Sequence, residues 1–286
     1  PARSPCSQSA RPCRPENSRL ARLSSSEQSQ PHPMLRVERA GPVATITLDS
    51  PERRNSQVPS LWSALAEVGA GLDPTIRVVV VRAEGPSFSA GLDLAMLTPE
   101  GAPGELSLFT LAAGAGTALD EAIAHFQRGF AIWAEVPAIT IAAVQGHAIG
   151  AGFQLALACD LRVVADDVAF AMRETSLGLV PDLGGTSPLV RAVGYARALE
   201  ICATGRFVGA QEAVAIGLGS VAVPRDELDA AAHDLAEAIL QTPQAALREL
   251  KPLLRNAMDA SLSDQLRAER EAQARLLTAM VQAAGK

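Results

Sequence analysis

Between Ala138 and Asp160 the chain reads Ala-Ile-Thr-Ile-Ala-Ala-Val-Gln-Gly-His-Ala-Ile-Gly-Ala-Gly-Phe-Gln-Leu-Ala-Leu-Ala-Cys-Asp. The β-branched run from Ala138 to Val144 predicts a buried strand, and Phe153, Leu155, Ala156 and Leu157 predict a buried helix. Glycines at 146, 150 and 152 lead from one to the other. A helix start offers unsatisfied N–H donors and partial positive charge, so this turn can hold an oxyanion. Tight packing of Gly146 and Gly152 against a sheet is an equally physical use of the same residues. The spacing is not the G-x-G-x-x-G of a dinucleotide fold, and Gly114-Ala-Gly116 fails the same test because Leu119 stands in the third glycine's place.

The pattern continues on both sides. Upstream, strands are expected at Ala44 to Leu48 and Ile76 to Arg82, with helices near Pro59 to Ala70 and from about Thr117 to Val136. Downstream, short strands are expected at Leu161 to Ala165 and Val168 to Met172. Beyond Pro188 the chain reads as helical, with breaks at Gly194, Gly205, Gly217 and Pro243 and one extended piece, Gly219 to Val223. This alternation predicts an α/β core at 34–195 followed by a helical region at 196–286.

Residues 1–33 hold six prolines with many Ser and Arg and lack a periodic apolar pattern. They read as a disordered extension, with a natural start at Met34. Hydrophobic residues make up 48% of the chain but aromatics only 3%, so the core must be built from Ala, Val, Leu and Ile. The net charge of −6 gives no general attraction to nucleic acid or anionic membrane. The longest apolar stretch, Val136 to Ile149, is too short and too interrupted to span a bilayer. Cysteines at 6, 13, 159 and 202 form no metal or disulfide pattern, which fits a reducing, cytoplasmic setting.

Two further segments can carry chemistry. Pro86-Ser-Phe-Ser-Ala-Gly-Leu-Asp-Leu94 follows a predicted strand, and its small residues suit a sharp turn that exposes peptide N–H groups. An ordinary strand-to-helix loop fits it as well. In Phe170-Ala-Met-Arg-Glu-Thr-Ser-Leu-Gly-Leu-Val-Pro-Asp-Leu-Gly-Gly-Thr186, two acids sit among apolar residues. Apolar walls disfavour the charged form and raise a carboxylate toward the range of a useful base. Glu174 could instead pair with Arg173, and for Asp182 the favoured reading is a cap on the helix that begins near Gly184. His147 has no Ser/His/Asp partners and is read as structural.

In this order and at this spacing, the three segments resemble the crotonase (enoyl-CoA hydratase/isomerase) superfamily, from about Leu35 to the C-terminus. The resemblance implies a spiral of ββα units with C-terminal helices that assemble trimers or dimers of trimers. It implies an acyl-CoA thioester as substrate, with coenzyme A part of that substrate and no separate cofactor or metal. The thioester oxygen would meet the N–H groups of Leu92 and Ala151, flanked by Ala90, Gly91, Asp93, Leu94 and Gly150. Arg53 and Arg54 would lie where the family binds the nucleotide end; a solvated turn suits them equally.

Glu174 matches the second catalytic glutamate of the hydratases, whereas Gln154 stands in place of the first. An amide can orient a water or a carbonyl but cannot exchange a proton. Asp182 matches an acid of the dienoyl-CoA isomerases. Double-bond isomerisation is therefore the expected reaction, with Glu174 as the base. Hydration of a 2-enoyl-CoA, with Gln154 or Asp182 placing the water, and acyl-CoA binding without chemistry are the alternatives.

Overall fold

The computed structural model describes residues 27–114 and 117–285. In chain order the elements begin with strands β1 (Glu27–His32), β2 (Leu35–Ala40) and β3 (Val43–Leu48), helix α1 (Pro59–Ala70) and strand β4 (Val78–Ala83). Helices α2 (Leu108–Ala113) and α3 (Ala118–Glu135) precede β5 (Ile139–Val144), β6 (His147–Ile149) and helix α4 (Ala151–Ala158). Next come β7 (Leu161–Ala165), β8 (Ala169–Ala171), α5 (Thr186–Val193), α6 (Tyr195–Thr204), β9 (Val208–Gly209), α7 (Ala210–Ala215) and β10 (Val221–Val223). Helices α8 (Leu228–Leu240), α9 (Gln244–Asn256) and α10 (Leu262–Ala284) follow.

One sheet runs β1-β2-β3-β4-β5-β7-β10, and a second, smaller one runs β6-β8-β9. From β3 to β10 the large sheet is parallel, with Val43 opposite Val78 and Val78 opposite Ile139. Parallel strands covered on both faces read as continuous apolar runs, and Val78-Val-Val-Val81 is one. Val78, Val80, Ile141, Ala143, Val163 and Ala165 pack under Leu228, Ala232 and Ala236 of α8. The alternate residues, among them Val79, Val81, Ala142 and Val144, join the main core with α1, α3 and α4. Strand β10 and helix α8 show that residues beyond 195 also build this core.

The parallel order places the functional loops. Because β4 and β5 are parallel neighbours, the chain leaving each one emerges at the same edge of the sheet, where α/β folds gather their ligands. The loop at 84–94 and the turn at 145–150 are therefore adjacent. They are laced together by Phe88 N–H to Gln145 O (2.8 Å), Ser89 N–H to His147 O (2.9 Å) and Ile149 N–H to Ser89 O (3.0 Å).

The expected extension over 1–33 is corrected at its end. Glu27–His32 is a strand, paired antiparallel with β2, and Met34 N–H donates to His32 Nδ1 at 3.2 Å. Its side chains are mostly exposed, so main-chain pairing rather than apolar periodicity makes this strand, and the sequence pattern carries no sign of it. The rest of that expectation, at 1–26, lies outside the described residues. The stretch at 147–149, read as a glycine turn, pairs as β6 with β8, and the loop after Leu94 contains α2. No described helix is long and apolar enough to cross a membrane.

Candidate active site

Three buried polar side chains shape the loop that carries Leu92. Asn55 accepts from Ser50 N–H (2.8 Å) and donates to the carbonyls of Glu84 (2.8 Å) and Ser87 (2.9 Å). Gln57 donates to Ser89 Oγ at 3.1 Å while accepting from the Trp62 indole at 2.8 Å, and Ser89 Oγ in turn accepts from Gly91 N–H at 3.1 Å. Main-chain bonds from Gln57 N–H to Gly91 O (2.7 Å) and from Asp93 N–H to Gln57 O (2.8 Å) then bracket Leu92. In such a ladder the intervening N–H faces the other way. Leu92 N–H accordingly has no protein acceptor among the described residues, and neither has Ala151 N–H at the first position of α4.

Gly91 brings these two donors together. Its φ is +85°, and a β-carbon there would collide with the Ile149 carbonyl oxygen and stand 3.5 Å from Ala151 N. The loop can approach α4 this closely only without a side chain. The loop that carries Leu92 thus lies against the start of α4, and among the described residues neither N–H has a protein acceptor.

Glu174 opens a 3-10 turn (Glu174–Leu177) directly after β8, and β8 pairs with β6 beside the same glycine turn. Gly150 N–H donates to Ala171 O at 2.9 Å and holds this register. Gln154, on α4 and 1% exposed, donates from Nε2 to Glu174 Oε1 at 2.7 Å. Its Oε1 accepts from Leu183 N–H (2.9 Å) and Gly185 N–H (3.2 Å). Glu174 Oε2 is buried and finds no hydrogen-bond partner among the described residues. Burial pushes the Glu174 carboxyl above the usual range, outweighing the backbone and Gln154 hydrogen bonds that lower it, and the charge of Asp182 adds to the rise.

Asp182 is half-buried, and burial raises its carboxyl as well. The favoured cap reading is corrected. Helix α5 starts at Thr186 with Gly185 as N-cap and no side-chain cap, and the acceptor for Gly185 N–H is Gln154. The Gln154 amide has taken the place that a capping carboxylate would fill. Asp182 enters the site through its charge on Glu174, and its main-chain oxygen accepts from Gln127 Nε2 at 2.7 Å.

Arg53 is ion-paired with Asp93, which also accepts from Ala95 N–H at 3.0 Å and so caps the 3-10 turn Leu94–Leu97. Arg54 sits at φ +52°, exposed, with its carbonyl accepting from Ala90 N–H at 2.8 Å. Both arginines are thus at the rim of the loop, one turned onto Asp93. Leu94 is 63% exposed, as are Leu177, Leu179 and Val180 in large part, giving the site an apolar border. A cleft of about 770 Å³ between α4, α5 and α9, lined by Leu157, Lys251 and Leu254, meets this region only at Leu183 and Gly184. Its walls hold neither Glu174 nor the N–H groups of Leu92 and Ala151.

Sequence reasoning passed over Asn55, Gln57 and Ser89. The available signal was a polar triplet, Asn55-Ser-Gln57, set directly before the apolar start of α1, where a plain surface turn would not need buried amides.

The enoyl-CoA hydratase/isomerase family model matches residues 38–285. Among curated proteins, the chain is 34% identical over 239 residues to "Probable enoyl-CoA hydratase echA8" of Mycobacterium tuberculosis, covering 82% of this chain and 86% of that one. It is 33% identical over 236 residues to carnitinyl-CoA dehydratase of Salmonella arizonae, covering 82% and 84%. Among solved structures, a Thermobifida fusca YX protein in complex with acetoacetyl-CoA superposes with a TM-score of 0.83 at 46% identity, covering 86% of this chain and 95% of the other. The enoyl-CoA hydratase of Bacillus anthracis gives a TM-score of 0.74 at 28% identity, covering 86% and 91%.

Proposed function

The chain belongs to the enoyl-CoA hydratase/isomerase (crotonase) family, with its α/β fold and its acyl-CoA chemistry, and from that premise we propose that this enzyme moves the double bond of an enoyl-CoA, with Glu174 as the base. The observation that carries the reading is the 2.7 Å hydrogen bond from the Gln154 amide to Glu174. Where a two-acid hydration mechanism places a second titrating group, this chain has a group that only hydrogen-bonds.

In the proposed reaction the thioester oxygen lies on the N–H groups of Leu92 and Ala151. The Glu174 carboxylate removes an acidic proton at the carbon next to the carbonyl, and the C–H electron pair delocalises onto the oxygen held by the two donors. Glu174 then returns the proton to the carbon at the far end of the delocalised system, so the double bond shifts and no atom is gained or lost. Arg53 and Arg54 would meet the phosphates of the coenzyme A moiety, with Arg53 exchanging Asp93 for a phosphate. Coenzyme A arrives as part of the substrate.

Hydration is the second reading, favoured by the names of the relatives and by a second acid, Asp182, whose proton affinity is also raised. Mass spectrometry of the products decides between them. An unchanged mass with a shifted double bond supports isomerisation, and a product heavier by one water, a 3-hydroxyacyl-CoA, overturns it.

Assembly as a trimer or hexamer is part of the proposal. Leu254 (65% exposed), Leu262 (76%) and Met280 (67%) leave apolar surface on α9 and α10 that association would cover. Light scattering that gives a stable monomer would contradict it.

A further inference from the structure

Gln154 occupies a seat built for an amide in one orientation. Its oxygen accepts from Leu183 N–H and Gly185 N–H, so exchanging its oxygen and nitrogen would set donors against donors. Gly185 makes room for it, since a β-carbon there would stand 2.6 Å from Gln154 Cγ. The NH₂ group is thereby fixed toward Glu174 Oε1. The same oxygen lies against Gly150, 3.2 Å from where a β-carbon would be. One carboxylate oxygen is boxed in, whereas Oε2 is buried and has no protein partner among the described residues.

We propose that Gln154 is a positioning residue that clamps Oε1 of Glu174, so that Oε2 alone takes up and returns the proton. The inference rests on the reading of Glu174 as the base. A buried carboxylate oxygen without a hydrogen bond costs the fold stability, and such a cost is kept where function needs the atom unpaired. The clamp prevents the carboxylate from turning Oε2 into the same donor. It also holds down the proton affinity that burial raises.

The charged and titratable groups around Glu174 are few. Asp182 raises its proton affinity, Cys202 on α6 feels its charge, and the neighbouring Arg173 guanidinium is turned to Gly205 O at 3.2 Å. Gln154→Glu is therefore not a simple gain of a second acid. One oxygen of the new carboxylate would accept from Leu183 and Gly185, and the other would face Glu174 Oε1 at hydrogen-bond distance, so the pair would share a proton.

The test titrates the substrate-free enzyme by infrared difference spectroscopy, with the Glu174 carboxyl band assigned by its loss in Glu174→Gln. The protonation midpoint should rise by roughly one pH unit or more in Gln154→Met, through the loss of one charge-assisted hydrogen bond, and in Gln154→Glu, through the shared proton. The acid limb of kcat/KM for crotonyl-CoA or 3-hexenoyl-CoA should move the same way, with acyl-CoA affinity retained. If Gln154→Met fails to fold, Gln154→Glu, which keeps an acceptor for both N–H groups, carries the test. An unmoved midpoint in the folded variants overturns the clamp while leaving Glu174 as base. Full turnover by Glu174→Gln overturns the base itself.

Discussion

Gly150 lies directly against Glu174: a β-carbon added to the glycine would stand 3.2 Å from the Oε1 of the carboxylate. Gly150 also holds φ +52° and ψ −117°, a backbone region closed to L side chains, and it immediately precedes the free Ala151 N–H. Strain and crowding therefore act on both halves of the proposed site at once. Gly150→Ala should cost about 1–3 kcal/mol of stability and lower kcat/KM by at least about tenfold. Denaturant unfolding and steady-state kinetics on the same samples check this, and an alanine variant with normal turnover would contradict it.

Burial of Glu174 has a consequence for stability. Because the folded protein binds this proton more tightly than the unfolded chain, the ionised carboxyl costs stability above the ordinary carboxylate range, and the cost fades as pH falls through the raised value. Glu174→Gln removes the charge. The melting temperature of the variant relative to the parent should therefore rise as pH increases from about 4, the ordinary carboxylate value, through the raised value of Glu174. A difference that is flat or falling with pH would contradict this.

Lys251 on α9 is buried, with Nζ 2.8 Å from Asp160 Oδ2 and 2.8 Å from Ala138 O, while Asp160 also accepts from Thr140 N–H (2.8 Å) and Oγ1 (2.9 Å). Lys251→Met would leave the half-buried Asp160 without its cation. A loss of about 3–5 kcal/mol is expected in urea unfolding, partly recovered when Asp160→Asn is added. Equal stability of the single variant and the parent would show that the pair does not tie α9 to the core.

Removal of residues up to Pro33 takes away β1, whose side chains are exposed and whose main-chain pairs run from Glu27 with Arg39 to His32 with Leu35. Little apolar area is lost, and β2 keeps its pairing with β3. The shortened protein should fold with a melting temperature only a few degrees lower, roughly the effect of 1 kcal/mol. Failure to fold would show that β1 is needed for the sheet.

The sequence pattern carried most of the sheet and the placement of the site. Val78–Ala83 and Ile139–Val144 are buried on both faces, so composition alone marks them, Gly91 stands where two backbones must approach, and Gly150 stands against the Glu174 side chain. The glutamine-for-glutamate change at 154 was also legible, since it is a matter of identity alone. Three features were not. Strand β1 rests on main-chain pairing that any polar residues can make. Asp182 has the composition of a cap, but its rival for the α5 start is Gln154, 31 residues before Gly185 in the chain. The polar network likewise joins Asn55 to Ser87 and Gln57 to Ser89, each 32 positions on, a distance over which local pattern is silent.

The most direct measurement is the kcat/KM of Glu174→Gln on the best enoyl-CoA substrate, with acyl-CoA affinity measured by calorimetry in parallel. If the Glu174 carboxylate carries the proton, turnover falls by roughly 10²-fold or more while acyl-CoA still binds, because the amide keeps the shape and loses only the base. Turnover equal to that of the parent enzyme would contradict the account.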